Sequence, residues 1–214
     1  HTSENLLWRK IRDVPVSLPY TIDVRLMFYW KKLPGDSKPF RDILKNVSNW
    51  QGIIDALSDL VLDENNPSPP MVMPVGLTFN LFHDFVPLVW ASGDPFFVET
   101  IFGTRTNMGN QASLRVPCLI SQNATTIGKK GRSYRVISFP EMSHETAARH
   151  FMEGVDYVAI IQPAAFISRW RKNFMQYVST SPEAFWDSAG MALLPAMFKG
   201  GTDLMVVNGT GEKR

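Results

Sequence analysis

Tyr20-Thr21-Ile22-Asp23-Val24-Arg25-Leu26-Met27-Phe28-Tyr29-Trp30 alternates almost without a break. Tyr20, Ile22, Val24, Leu26, Phe28 and Trp30 fall on one side of an extended chain. Thr21, Asp23, Arg25, Met27 and Tyr29 fall on the other. Strand side chains alternate with period two, so the pattern predicts one long strand with one buried face. Lys31 and Lys32 lead out into Leu33-Pro34-Gly35-Asp36-Ser37, a turn composition.

Helical spacing takes over on either side. Upstream, Leu6, Leu7 and Ile11 predict a short helix closed before Pro15. Downstream, Ser37 caps a run with Phe40, Ile43, Leu44 and Val47, and Ser48 or Asn49 caps a second with Trp50, Ile53, Ile54, Leu57 and Val61. Asp55, Asp59 and Asp63 then line a solvated face. Glu64 to Pro70 is rich in Pro and Asn. It reads as a surface loop, or a sub-boundary, within a single domain spanning 1–214.

Further along, Gly76 to Phe82 alternates like a strand, and Asp94-Pro95 opens a helix running to Gly103. Leu114 to Ser121 and Tyr134 to Phe139 read as β. Ser143 caps a helix from His144 to Glu153 that Gly154 stops. Val155 to Ile161 is a strand, and Pro163 opens a helix with Phe166, Ile167, Trp170 and Phe174 on one stripe. Ser181-Pro182-Glu183 starts another helix, and Leu204 to Val207 a last short strand. Strands and helices mix without a regular βαβ repeat. The expected class is therefore α+β: a mixed sheet with a long N-terminal strand packed by several amphipathic helices.

Composition bounds the function classes. Hydrophobic residues make up 44% of 214 and charged residues 20%, enough for a sizeable core without a disulfide or metal staple. A net charge of +2 lacks the strong bias of a dedicated nucleic-acid binder. The single cysteine, Cys118, sits in Val-Pro-Cys-Leu-Ile and reads as a buried small hydrophobe. The lack of disulfides points to an intracellular, reducing compartment or an organelle interior. No apolar run is long enough for a transmembrane segment, which leaves peripheral membrane contact open.

Catalytic motifs fail in turn. His144 and His150 are six apart, so on a helix they diverge by roughly 120° and share no metal. They are expected at the surface or boundary. His83-Asp84 lacks the further partners that define a triad. No phosphate-binding or dinucleotide glycine pattern is complete, so no metal and no cofactor is expected.

Ile127-Gly128-Lys129-Lys130-Gly131-Arg132 resembles the Gly-x-x-Gly loop of KH RNA-binding domains. The resemblance covers these six residues and implies contact with a sugar-phosphate backbone. β-favouring neighbours give the same stretch a second reading, the tip of a hairpin. The nucleic-acid candidates are Lys129, Lys130, Arg132 and Tyr134, the last for stacking. Arg169, Trp170 and Arg171 are the candidates for a partner or membrane surface, with core packing of Trp170 as the alternative.

These readings lean away from an enzyme. They predict a non-catalytic structural or interaction protein, a subunit of a larger assembly that meets other subunits or itself. The alternatives are an RNA-contacting protein using the Gly-Lys-Lys-Gly loop and an enzyme with an unrecognised His-based site.

Overall fold

The computed structural model describes residues 9–11, 14–35, 44, 47–61, 68–76, 79–93, 97–107, 111–127, 131–195 and 199–205. In chain order the elements begin with β1 (Arg9–Ile11), β2 (Val14–Trp30), α1 (Trp50–Val61), β3 (Met71–Val72) and α2 (Phe79–Ala91). Then come β4 (Phe97–Thr100), β5 (Gly103–Thr106), α3 (Arg115–Asn123), β6 (Thr125–Ile127), β7 (Ser133–Arg135) and β8 (Ile137–Ser138). The last are α4 (His144–Glu153), β9 (Ala159–Pro163), α5 (Phe166–Tyr177), α6 (Pro182–Ser188), β10 (Ala189–Leu193) and β11 (Lys199–Met205).

The chain divides into two units, cut between Val24 and Arg25 and between Phe198 and Lys199. The smaller unit is an antiparallel set: β1 and β11 both pair with the first part of β2, Ile11 opposite Val14 and Gly201 opposite Ile22. The larger unit, residues 25–198, is a mixed sheet in the order β10, β2, β9, β3, β8. β3 runs parallel to both β8 and β9, whereas β2 is antiparallel to β9 and β10.

Helices cover both faces of this sheet. Met27, Tyr29, Met71, Ala159 and Ile161 face α1, α2 and α3 through Ile53, Leu57, Leu88, Val116 and Ile120. Phe28, Trp30, Val72 and Ile160 face α4, α5 and α6 through Ala148, Phe151, Phe166, Trp170 and Phe185. The alternation in β2 therefore holds, but both of its faces are buried over residues 27–30 rather than one. A strand covered on both faces needs apolar residues in both phases, which Met27 and Tyr29 supply. Edge-to-face ring contacts, such as Trp30 on Trp170 at 4.9 Å, hold the second face.

Several elements match their local signals. α1 starts at Trp50, with Asn49 Oδ1 accepting from the Gly52 amide at 2.8 Å. α4 spans His144–Glu153, capped by Ser143 and ended by Gly154 in the left-handed region. Ser181 caps α6.

Others are corrected. Ile11 lies in a strand. The stretch expected as a strand at 76–82 instead enters α2, whose helical spacing was obscured by Pro87 inside the helix. Residues 97–106 form the β4–β5 hairpin instead of a helix after Pro95. Residues 115–123 form α3 because Val116 and Ile120, four apart, both turn inward. Pro117 falls in its first turn, where the missing N–H costs little. Cys118 therefore points outward and is exposed. Most of the run from Ser37 to Val47, the residues before Arg9 and Asp63 lie outside the described residues.

Candidate functional site

β3, β8 and β9 share a direction, so their carboxyl ends open on the same edge of the larger unit. Crevices outside the carboxyl ends of parallel strands are the usual ligand positions in open α/β sheets. α2 and α4 begin just beyond β3 and β8, and Arg25 in β2 pairs with Pro163 at the end of β9. Five polar side chains converge there: Arg25, His83, Asp84, His144 and Gln162.

Four of them are buried, at 2% exposure for Arg25, 5% for Asp84, 4% for His144 and 6% for Gln162. His83 is half-buried. Arg25 Nη2 lies 2.9 Å from His83 Nδ1. A guanidinium can only donate, so His83 Nδ1 is the acceptor and Nε2 bears the proton of a neutral ring. Arg25 Nη1 lies 3.7 Å from Asp84 Oδ1. His144 Nε2 donates to Asp84 Oδ2, and Gln162 Nε2 donates to the His144 carbonyl oxygen at 3.4 Å. The order is thus a chain, His83–Arg25–Asp84–His144, in which hydrogen bonds join the two ends and a charge contact joins Arg25 to Asp84, one carboxylate balancing one guanidinium.

A cavity of about 200 Å³ adjoins Asp84, between α2 and α3. Met73, Leu88 and Ile120 make its buried floor, and Val75, Phe139 and Ser121 stand at its exposed mouth. A broader groove runs between α1 and α3, over Val116 and Leu119, with Gln51 and Arg115 at its rim.

Among the described residues no group of three His, Cys, Asp or Glu is placed to hold a metal ion. His144 and His150 go separate ways, as their spacing requires: His150 Nδ1 sits 2.6 Å from Asp156 Oδ2. His144, expected at the surface or boundary, is instead buried. The stripe His144, Ala147, Ala148, Phe151 carries the i, i+3, i+4, i+7 signature of an inward face. The period-two pattern alone places Arg25 on the face opposite Leu26, Phe28 and Trp30. Its phase-mates Met27 and Tyr29 were the available signal that this face is also covered.

The other candidate residues do not join this site. Lys129 and Lys130 lie outside the described residues. They fall between β6 and β7, which pair antiparallel, so the surrounding element is a hairpin and not the helix-flanked loop of a KH domain. Arg132 is exposed, and Tyr134 is half-buried, packed against the α1–α3 side of the core. Trp170 is fully buried, leaving Arg169 and Arg171 on the surface; Arg169 lies 5.3 Å over the Phe166 ring. Among the described residues no helix is long and apolar enough to cross a membrane.

No protein-family model and no curated protein sequence matches the chain. Solved structures do resemble it. A maltose-bound MalE3 from T. maritima superposes with a TM-score of 0.60 at 16% identity, over 96% of this chain and 50% of that one. An ABC transporter solute-binding protein from Thermotoga lettingae, bound with α-D-tagatose, gives 0.60 at 17%, over 92% and 46%. The maltose/maltodextrin-binding domain MalE from Bdellovibrio bacteriovorus, bound to maltotriose, gives 0.57 at 15%, over 98% and 49%. The chain thus spans about half the length of these structures.

This likeness establishes a mixed α/β fold shared with sugar-binding proteins. The expectation of a structural or interaction subunit is corrected by these neighbours, which are sugar-bound proteins and not assembly subunits. The expectation of an intracellular, reducing compartment is likewise corrected, since one of these neighbours is a solute-binding protein of an ABC transporter.

Proposed function

We propose that this chain is a solute-binding portion of an extracytoplasmic receptor that captures a carbohydrate for an ABC transporter. The observation that carries the reading is the polar set at the carboxyl ends of β3, β8 and β9, on a fold shared with sugar-bound receptors. Sugars are held by fixed donors and acceptors, and this chain of hydrogen bonds joined by one ion pair gives that fixity. Arg25, Asp84, His144 and Gln162 are too buried to meet a solute directly and act as positioning residues. His83, half-buried and held in one tautomer by Arg25, is the member at the rim. The transporter's membrane subunits are the partners this reading implies.

Titration calorimetry of the purified protein with maltose, maltotriose and α-D-tagatose tests it. Saturable binding of at least one sugar, weakened about tenfold by His83→Ala, is the expected result. Failure of every mono- and oligosaccharide tried would overturn the proposal. Binding that His83→Ala leaves unchanged would remove this rim from it.

A further inference from the structure

We infer that the β4–β5 hairpin is a membrane-contacting finger, whose tip residues Ile101 and Phe102 enter the interface of a lipid surface without net charge. Both side chains are large and apolar, and both are 93% exposed. They join Thr100 to Gly103, the last pair of the ladder. β5 is exposed at each of its four residues, so the hairpin stands off the body. Single apolar residues scattered over a surface are ordinary, but two adjacent ones at a projecting turn mark a contact site.

The turn is prepared for an apolar medium. The Thr100 hydroxyl accepts from the Phe102 amide at 3.2 Å and donates to the Gly103 carbonyl oxygen at 2.7 Å. Two backbone groups of the turn thus keep partners where water is missing. The nearest carboxylate, Glu99, is also engaged within the hairpin, accepting from Thr104 Oγ1 at 2.7 Å. No residue from Thr100 to Thr104 is charged, and Glu99 and Arg105 behind the tip cancel. Charge therefore selects neither an anionic nor a cationic surface. A protein partner fits less well. Stable interfaces bury about 800 Å² on each side, over about 20–30 residues. At this tip the apolar area is two side chains, with Gly103, Thr104, Arg105 and Thr106 exposed behind them. A bilayer needs no matching pocket, because binding there scales with the apolar area immersed, and two side chains suit a weak, reversible contact. The contact uses neither the cluster around Arg25 nor a sugar, so it stands or falls apart from the carbohydrate reading.

Co-sedimentation of the whole chain with phosphatidylcholine vesicles, without sugar, tests it. The parent is expected to bind, and the double variant Ile101→Ser with Phe102→Ser to bind at least about tenfold more weakly. Both side chains lie in solvent, so this variant should keep the parent's circular dichroism and melting temperature. Ile101→Leu with Phe102→Leu should retain binding to within about threefold, since apolar area and not shape is what counts. Raising sodium chloride from about 0.1 M to about 0.5 M should leave binding unchanged. No binding of the parent, or equal binding of the Ser variant, would overturn the proposal. Binding confined to phosphatidylserine vesicles and lost in salt would overturn it in favour of a charged surface elsewhere. Self-association of the parent in analytical ultracentrifugation, lost in the Ser variant, would overturn it by assigning the tip to a second copy of this chain.

Discussion

Arg25 donates to Nδ1 of His83 across 58 positions of sequence, and this one contact decides the protonation pattern of the cluster. The same guanidinium reaches Asp84, so a charge from β2 organises two consecutive residues of α2. Nitrogen-15 NMR of the imidazole should find His83 neutral, with Nδ1 unprotonated and Nε2 protonated. A ring carrying its proton on Nδ1 cannot accept from Arg25, and that spectrum would contradict the arrangement.

Arg25 and Asp84 form a buried pair, so removing one partner leaves the other charged and uncompensated. Arg25→Met is expected to cost about 3–5 kcal/mol in urea unfolding. The double variant Arg25→Met with Asp84→Leu should recover much of that loss, because two apolar groups leave no stranded charge. Equal losses in single and double variants would show that packing of the arginine stem, not its charge, is what matters.

Much of the fold was legible wherever a local signal and the tertiary environment agree. Ser143 with Gly154, Asn49 before Trp50, and Ser181-Pro182 all mark helix ends that the structure keeps. The failures have physical causes. A helix interrupted by Pro87 and apolar on several sides carries no clean period, so α2 resembled a strand at its start. Residues 115–123 are β-favouring by composition, yet packing of Val116 and Ile120 selects the helix. The site was less legible still. Arg25, His83, Asp84, His144 and Gln162 come from four separate elements, and only the sheet order brings them together. His83-Asp84 was noticed as a pair, but nothing local names Arg25 as its partner.

Gly190 in β10 lies against the ring of Tyr29, its neighbour in the antiparallel ladder. A Cβ there would sit 2.3 Å from the ring's Cε2 and Cζ. Tyr29 is 3% exposed and part of the core, so the ring has little room to retreat. Gly190→Ala is therefore expected to destabilise the protein by about 1–3 kcal/mol, the usual range for overpacking. Chemical denaturation checks this, and a neutral result would mean that the ring shifts freely.

Tyr157 gives the protein an alkaline limit. Its side chain is 8% exposed, and the His150 ring stacks on it at 6.5 Å between centroids. Burial pushes its phenol above the ordinary value of 10.0, and the neighbouring Asp156 carboxylate pushes it the same way. Both causes disfavour the phenolate, so the folded state holds its proton to higher pH than the unfolded chain does. The contribution is therefore complete below about pH 10 and is lost as pH rises through the raised folded value. Melting temperatures measured from pH 8 upward should fall more steeply in the parent than in Tyr157→Phe, which has no proton to lose. Asp156→Asn should shrink this loss and end its window at lower pH, by removing one of the two causes that raise the folded value. Parallel curves for the parent and Tyr157→Phe would show that this phenol does not govern the alkaline loss.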